Sequence, residues 1–394
     1  MTEIEISLIK VLKSTLNANS TQPLTLSESE LLDFYHLAQD HQIHTLIYAS
    51  IKSAYLKDVQ ANAHFTHIQQ INRIQYVFQI LKELNCAGIK VIALKGLYLM
   101  NLYPKKELRL MGDIDILVRN EDFYQSAQIF EVFGYRKKIG GSTKWDITLV
   151  HDKYISIELH HSLFDNTNLN NLQDFEFHLR QNSILYEQYG IPIYRPTDED
   201  HIIYLFMHMA KHLTTGGFGL RQVADVYLLL KNGEYAYKHL LERLSHYQLQ
   251  RFAISLMHII QQWFDLDIPI NNISLDPNIN HYINILKKDI ISSGVYGKGS
   301  SENIIRHIQL PYYQQANSKL KIFLTMLFPS SKKMRYRYNY VNKHWFLLPA
   351  AWFHRIFINL FIRKDLNINE KIHCISSFDK QISDRMLLLK WLQL

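Results

Sequence analysis

The sequence predicts an α/β fold: a small mixed β-sheet with flanking helices, extended by mainly α-helical N- and C-terminal regions. Three observations predict it. The first is a run of β-formers behind a glycine, Gly112-Asp113-Ile114-Asp115-Ile116-Leu117-Val118. The second is alternation in residues 154–160, where Ile155, Ile157 and Leu159 interleave with Ser156, Glu158 and His160. The third is helical periodicity on either side of these strands. Residues 64–86, for example, carry Ile68, Ile71, Ile74, Val77, Phe78 and Leu81 along one side.

In chain order, residues 4–16 and 27–40 read as amphipathic helices. The second opens with a capping box, Ser27 with Glu30 three residues on. The helix over 64–86 leads through Gly88 into a strand at 90–94. Lys95 and Gly96 follow, then a short helix over 97–102 that stops near Pro104. After the Asp-x-Asp strand comes a helix over 121–134, ended by Gly134. Residues 135–139 read as a strand and 140–143 as a turn. Residues 145–150 and 154–160 form a hairpin, the Asn-rich run 166–171 a loop, and 191–194 a last short strand before Pro196. Thr197 with Asp198, Glu199 and Asp200 starts a helix that continues to residue 213. The glycines at 216, 217 and 219 break it, and helices resume over 220–231, 235–246 and 251–264. This divides the chain into an N-terminal helical region (1–85), a catalytic core (86–195), a helical substrate-side domain (196–329) and a basic aromatic C-terminal segment (330–394).

The chemistry concentrates between residues 95 and 160. Residues two apart on a strand share a face, so Asp113 and Asp115 project side by side while Ile114 and Ile116 enter a core. Paired carboxylates repel unless a cation or proton lies between them. A Mg²⁺ or Mn²⁺ ion bound by carboxylates and substrate phosphates resolves that conflict. Glu158 adds a third carboxylate if its strand lies beside the Asp113 strand, which would satisfy a two-metal site. Lys95 and Arg109 suit phosphate groups. Gly96 sits at a strand-to-helix junction, where unpaired backbone N–H groups face an anion. Alone, this pair reads rather as a snorkelling side chain and a turn; the acids downstream reverse that in favour of phosphate. Gly112 marks the start of the acid-bearing strand.

The pattern Leu94-Lys95-Gly96, Arg109, Gly112-Asp113-Ile114-Asp115-Ile116-Leu117-Val118 and Ile157-Glu158-Leu159-His160 resembles the nucleotidyltransferases of the DNA-polymerase-beta type. It is most similar to the bacterial uncharacterised nucleotidyltransferase branch, related to AbiEii-type toxin enzymes. The resemblance covers roughly residues 90–161, with a weaker echo in His208, His212, Arg221 and Asp225. It implies an α/β nucleotidyltransferase core that moves a nucleoside monophosphate from an NTP to an acceptor and releases pyrophosphate. Asp113, Asp115 and Glu158 would bind the metal, and Lys95, Gly96, Arg109 and Gly112 the nucleotide phosphates. His160, His208, His212, Arg221 and Asp225 would stand on the acceptor side. The wider superfamily has a Gly-Ser pair where this chain has Lys95-Gly96, which bears on the nucleotide and acceptor chosen. The toxin resemblance implies RNA, such as a tRNA 3′ end; a small molecule or a protein side chain is equally open.

Other features leave alternatives open. His208 and His212 are one helical turn apart, a spacing that holds zinc, yet no third ligand or His-Glu-x-x-His pattern accompanies them. Arg221 and Asp225 form either a surface ion pair or a cleft-facing one. Residues 330–364 hold eight Lys or Arg, no Asp or Glu, and many aromatics, among them Tyr336, Tyr338, Trp345, Trp352 and Phe361. They read as a helix packed on the core, a nucleic-acid contact or an anionic membrane surface contact. Pro349, His354, Arg355 and Asn359 interrupt the apolar run there, so no transmembrane segment is expected. A net charge of +7 favours polyanionic partners or is simply a solvated surface. Two cysteines, Cys86 and Cys374, and a start without a basic, unbroken apolar leader point to the cytoplasm. The absence of a Walker A loop, a dinucleotide glycine fingerprint and a Gly-x-Ser-x-Gly elbow excludes three other enzyme classes by motif. A non-enzymatic nucleotide-, RNA- or membrane-binding module of the same fold is the alternative to an enzyme.

Overall fold

The computed structural model describes residues 1–19, 24, 26–48, 57–142, 145–163, 172–270, 277–295, 328, 331, 334, 338, 340–341, 344–357 and 380–394. Its centre is a seven-stranded mixed sheet. The strands are β1 (Ile92–Ala93), β2 (Asp113–Leu117), β3 (Arg136–Ser142), β4 (Asp146–Val150), β5 (Ser156–His160), β6 (Ile184–Gln188) and β7 (Ile191–Arg195). Their order is β3-β4-β5-β2-β1-β7-β6. The β2–β5 and β1–β7 pairs are parallel; the other pairs are antiparallel. A parallel pair needs a crossover, and between β2 and β5 the chain makes it through α6 (Phe123–Val132), β3 and β4.

Strand alternation gives the sheet two different faces. Ile114, Ile116, Ile157 and Leu159 enter a core with Phe78 and Leu81 of α4 (Lys57–Cys86) and with Phe130 of α6. Leu117, Ile92 and Leu94 face a second core built on α8 (Asp198–Leu213) and α9 (Leu220–Asn232). Asp113 and Asp115 share the Leu117 face by the same alternation.

The second core also takes in both ends of the chain. It joins Leu8 of α1 (Glu3–Leu16), Phe34 of α2 (Glu28–Asp40) and Leu46 of α3 (His44–Ile47) to Phe206, Val223 and Phe252. Leu240 of α10 (Tyr237–His246), helix α11 (Gln250–Phe264), Leu286 of α12 (Ile279–Ser293) and Leu389 of the helix Lys380–Leu392 complete it. The described residues of 1–47 and 198–293 therefore share one helical body beneath the site face. His41, fully buried, ties it together: its Nδ1 accepts from the Leu220 amide at 3.0 Å and its Nε2 donates to the Ile291 carbonyl at 3.1 Å. The capping box expected at Ser27 with Glu30 forms, and Thr2 makes a second one with Glu5. Thr197 caps α8 through the Asp200 amide.

Several elements differ from the sequence expectation. The strand expected over 90–94 is β1 at Ile92–Ala93, with backbone bonds from Leu94 to Asp115 and from Tyr194 to Val91 at its ends. The helix expected over 97–102 is α5 (Gly96–Leu99), four residues, followed by a 3₁₀ turn over Met100–Leu102. The residues read as a turn at 140–142 lie inside β3, whose register shifts between Lys137 and Ser142. Such a bulge lets glycines continue a strand. Helix α7 (Leu172–Gln181) and strand β6 were not expected. In β6 the apolar Ile184 and Leu185 are exposed while Tyr186 and Gln188 turn inward, so residue polarity does not follow the strand's alternation. The expected loop over 166–171, Cys374, Tyr336 and Phe361 lie outside the described residues. From the basic aromatic segment, Met334, Tyr338, Val341 and Ala351 form a small separate cluster against Trp352, while Phe346 and Phe353 are exposed. Among the described residues no helix is long and apolar enough to cross a membrane.

Candidate active site

The parallel register of β2 and β5 sets Asp113 beside Ser156, Asp115 beside Glu158 and Leu117 beside His160. The strands therefore bring Asp115 and Glu158 together directly, with Asp113 two residues away on the same face. Asp115 is 3% exposed, and the side chain of Glu158 is 33% exposed. Donor atoms of Asp115, Glu158 and His160 all lie within 4.8 Å of one another.

Two cations answer the crowded negative charge. Lys95 Nζ stands 2.7 Å from Asp115 Oδ1. His160 Nε2 lies 3.6 Å from Asp115 Oδ1 and 3.7 Å from Glu158 Oε2, distances of a charge contact rather than a hydrogen bond. Burial alone would raise the Asp115 carboxyl's pKa; Lys95, then His160 and His208, outweigh it and hold the group well below the usual carboxylate range. Burial likewise works against a charged His160, yet the two carboxylates beside it push its pKa up to about 9. For Glu158 the pull of His160 is outweighed by burial and by Asp115 and Asp113, and its pKa rises.

Lys95 also reaches α8. Its Nζ is 3.1 Å from His208 Nε2, and His212 Nε2 is 2.7 Å from the same atom. Burial, then the Lys95 charge, holds His208 well below its ordinary pKa and pushes His212 down to about 3. Both rings are thus neutral, and with Lys95 donating, His208 Nε2 is an acceptor. No carboxylate joins the two rings, so they are part of the Lys95 network rather than a separate zinc-type cluster among the described residues.

Arg109 and Asp225 meet from opposite walls. Arg109 Nε donates to Asp225 Oδ1 and Nη2 to Oδ2, both at 2.7 Å, and Tyr103 Oη donates to Oδ1 at 2.8 Å. The sequence reading sends Arg109 to the phosphates and pairs Asp225 with Arg221 one turn away. In the structure Asp225 receives Arg109, and Arg221 Nη1 donates to the Leu110 carbonyl at 2.8 Å. All three are buried, which excludes a surface pair, and all three line the cleft between the sheet and helices α8 and α9.

A cavity lies between the walls. Lys95, Gly96, Arg109, Asp113 and Asp115 line it from the sheet side, and Leu205, His208, Met209, Arg221, Gln222 and Asp225 from α8 and α9. Gly96 is required by space: a Cβ there would meet Met111 Sδ at 2.6 Å and Arg109 Nη1 at 3.1 Å. The helix behind it is only four residues long, so it contributes little dipole. Gly112 is exposed just before β2, and His212 stands behind His208 rather than on the cavity wall. Tyr103, Leu205, Met209 and Gln222 are site residues that sequence reading missed. The first looked like part of a helix stop before Pro104; the others sit among apolar helical positions with no chemical signature.

The donor set fits a hard divalent cation. Oxygen ligands from Asp115 and Glu158 suit Mg²⁺ or Mn²⁺, while Asp113 shares their sheet face but lies outside their cluster. His160 Nε2 is buried without a hydrogen-bond partner among the described residues and would offer a further nitrogen once its proton is lost.

None of the curated proteins matches the chain. Among solved structures, the antibiotic-resistance factor ANT(2'')-Ia is similar over 48% of this chain and 98% of its own, at 11% identity and a TM-score of 0.35, too distant to carry an inference. The family profile described as uncharacterised nucleotidyltransferase matches residues 27–265, a span that contains the whole sheet, all three acids and helices α8 to α10. Matched over more than half of its length, the chain belongs to the uncharacterised nucleotidyltransferase family, whose general chemistry is the transfer of a nucleoside monophosphate.

Proposed function

We propose that this protein transfers a nucleoside monophosphate from an NTP to an acceptor hydroxyl or similar group, with release of pyrophosphate, in the cleft between the sheet and helices α8 and α9. The observation that carries the reading is the pairing of Asp115 with Glu158 in the β2–β5 register, with Asp113 on the same face. Asp113, Asp115 and Glu158 would hold Mg²⁺ or Mn²⁺, with His160 as a further donor. When bound, such an ion neutralises the triphosphate and eases deprotonation of the acceptor.

The chain's own residues supply the rest. Lys95 keeps Asp115 ionised and is the cation nearest the acids, so it is placed to neutralise the phosphates and the departing pyrophosphate. Gly96 lets the backbone approach that same point. Arg109 serves the site through Asp225, bracing the loop that leads into β2. His208, held neutral, and the exposed carboxylate edge of Glu158 face the acceptor side. The net charge of +7 is compatible with RNA as acceptor, and a small molecule or a protein side chain is equally open. RNA binding weakens steeply with salt, whereas a small neutral acceptor responds little.

The test is pyrophosphate release from each NTP with Mg²⁺, in the presence of total RNA or of a small-molecule extract. Release that disappears in Asp113→Asn/Asp115→Asn supports the reading. Release that persists in that variant, or is absent with every nucleotide and acceptor pool, refutes it.

A further inference from the structure

The loop that delivers the chain into β2 is held in an unusual way. Three consecutive backbone carbonyls each accept from a side chain on a different helix. Thr45 Oγ1 of α3 donates to the Leu108 carbonyl at 2.7 Å. Gln70 Nε2 of α4 reaches the Arg109 carbonyl at a longer 3.4 Å. Arg221 Nη1 of α9 donates to the Leu110 carbonyl at 2.8 Å. The donors are 0%, 2% and 5% exposed. The side chain of the middle residue, Arg109, is meanwhile locked on Asp225.

Asp113 follows Leu110 by three residues. A buried carbonyl left without a donor is costly, so each donor fixes one point of the backbone just before the acids. Thr45 and Gln70 belong to helices outside the sheet and carry no motif. Neither lines the cavity.

We infer that Thr45, Gln70 and Arg221 are positioning residues: by pinning the Leu108–Leu110 backbone from three helices they fix where Asp113 and Asp115 stand. Helices α3 and α4, outside the sheet, are thereby part of the machinery of the site. The inference rests on the proposed metal-binding role of the two aspartates. Groups that orient metal ligands from behind commonly change metal affinity about 10–100-fold when removed.

Mn²⁺ alone is the probe, titrated against full-length protein by the electron paramagnetic resonance of the free ion, with unfolding midpoints read on the same samples. Thr45→Val keeps the shape and loses the O–H; it is expected to weaken Mn²⁺ binding by about tenfold or more, and Thr45→Ser to restore it. Gln70→Met is expected to act in the same direction, more weakly in keeping with its longer bond, and it decides the matter if Thr45→Val does not fold. Folded variants with lower midpoints but wild-type Mn²⁺ affinity would reduce the pins to ordinary stabilising bonds and overturn the inference. Wild-type protein that binds Mn²⁺ no better than Asp115→Asn would overturn the metal reading itself, a distinct result that removes this inference with it.

Discussion

Asp225→Asn should reveal how the two walls of the cleft are joined. Arg109 and Asp225 are 4% and 5% exposed, and two charge-assisted bonds of 2.7 Å plus the Tyr103 hydroxyl at 2.8 Å converge on one carboxylate. Asparagine keeps one oxygen but turns an NH₂ group toward a guanidinium N–H, and it leaves the arginine charge without its counterion. Breaking a buried pair from one side costs about 3–5 kcal/mol. For a chain of this length about 2 °C per kcal/mol is an upper conversion, so the midpoint falls by roughly 6–10 °C at most. Removing both partners, as in Arg109→Met/Asp225→Leu, leaves no stranded charge and is often near neutral. The assay is urea unfolding of wild type, both single variants and the double variant. The expected signature is a double variant more stable than Asp225→Asn. A single-variant loss below about 1 kcal/mol, the size of an exposed pair, together with additive losses in the double variant, would refute the buried clamp.

Other perturbations read other parts of the site. Lys95→Met removes the nearest counter-charge of buried Asp115 and should destabilise the metal-free protein by about 3–5 kcal/mol. Added Mg²⁺ should then raise the unfolding midpoint of this variant more than that of wild type; equal shifts would show that the ammonium and the ion do not compete for Asp115. Gly96→Ala puts a methyl group against Met111 Sδ and Arg109 Nη1 and should cost about 1–3 kcal/mol of stability by overpacking, measured by the same urea curves; an unchanged curve would mean that Met111 moves aside. For pH, burial pushes His41 down to about 4, overriding its bond to the Ile291 carbonyl. The unfolded chain, with a pKa near 6.5, then binds more protons between about pH 6.5 and 4, so stability is full above 6.5 and lost as the pH falls through that window, by about 3 kcal/mol. Burial pushes His44 and, chiefly, His201 to similar values and these deepen the loss. Unfolding free energies that do not change between pH 7 and 5, or a His41→Gln variant with an undiminished slope, would contradict it.

The elements most legible in the sequence were those with local signals. Alternation in 154–160 and the isoleucines around Asp113 announced β5 and β2 with their inward faces, and Thr197 announced α8. The acid-bearing side chains were legible for the same reason, because a period of two fixes which of them share a face. Their meeting across β2 and β5 was not, since that register is set by packing far along the chain. Arg109 shows the limit most sharply. A cation four residues before an Asp-x-Asp strand reads as a phosphate ligand, whereas its counterion lies 116 residues later on α9. Thr45 and Gln70 left no trace at all, since a single buried hydroxyl or amide that serves a backbone carbonyl breaks no pattern. Strand β6 went unread because its polarity runs against its burial: Ile184 and Leu185 are exposed while Gln188 is buried.

The central claim is that Asp113, Asp115 and Glu158 bind an NTP through a divalent ion. Its most direct measurement is thermal unfolding with ATP, GTP, CTP and UTP, each with and without Mg²⁺, on wild type and on Asp113→Asn/Asp115→Asn. A nucleotide at a hundred times its dissociation constant adds about 2.7 kcal/mol, a readily measured shift. The expected result is a shift with at least one nucleotide that requires Mg²⁺ and vanishes in the double variant. A nucleotide shift that survives without Mg²⁺ or in the double variant, or no shift with any of the four, would contradict it.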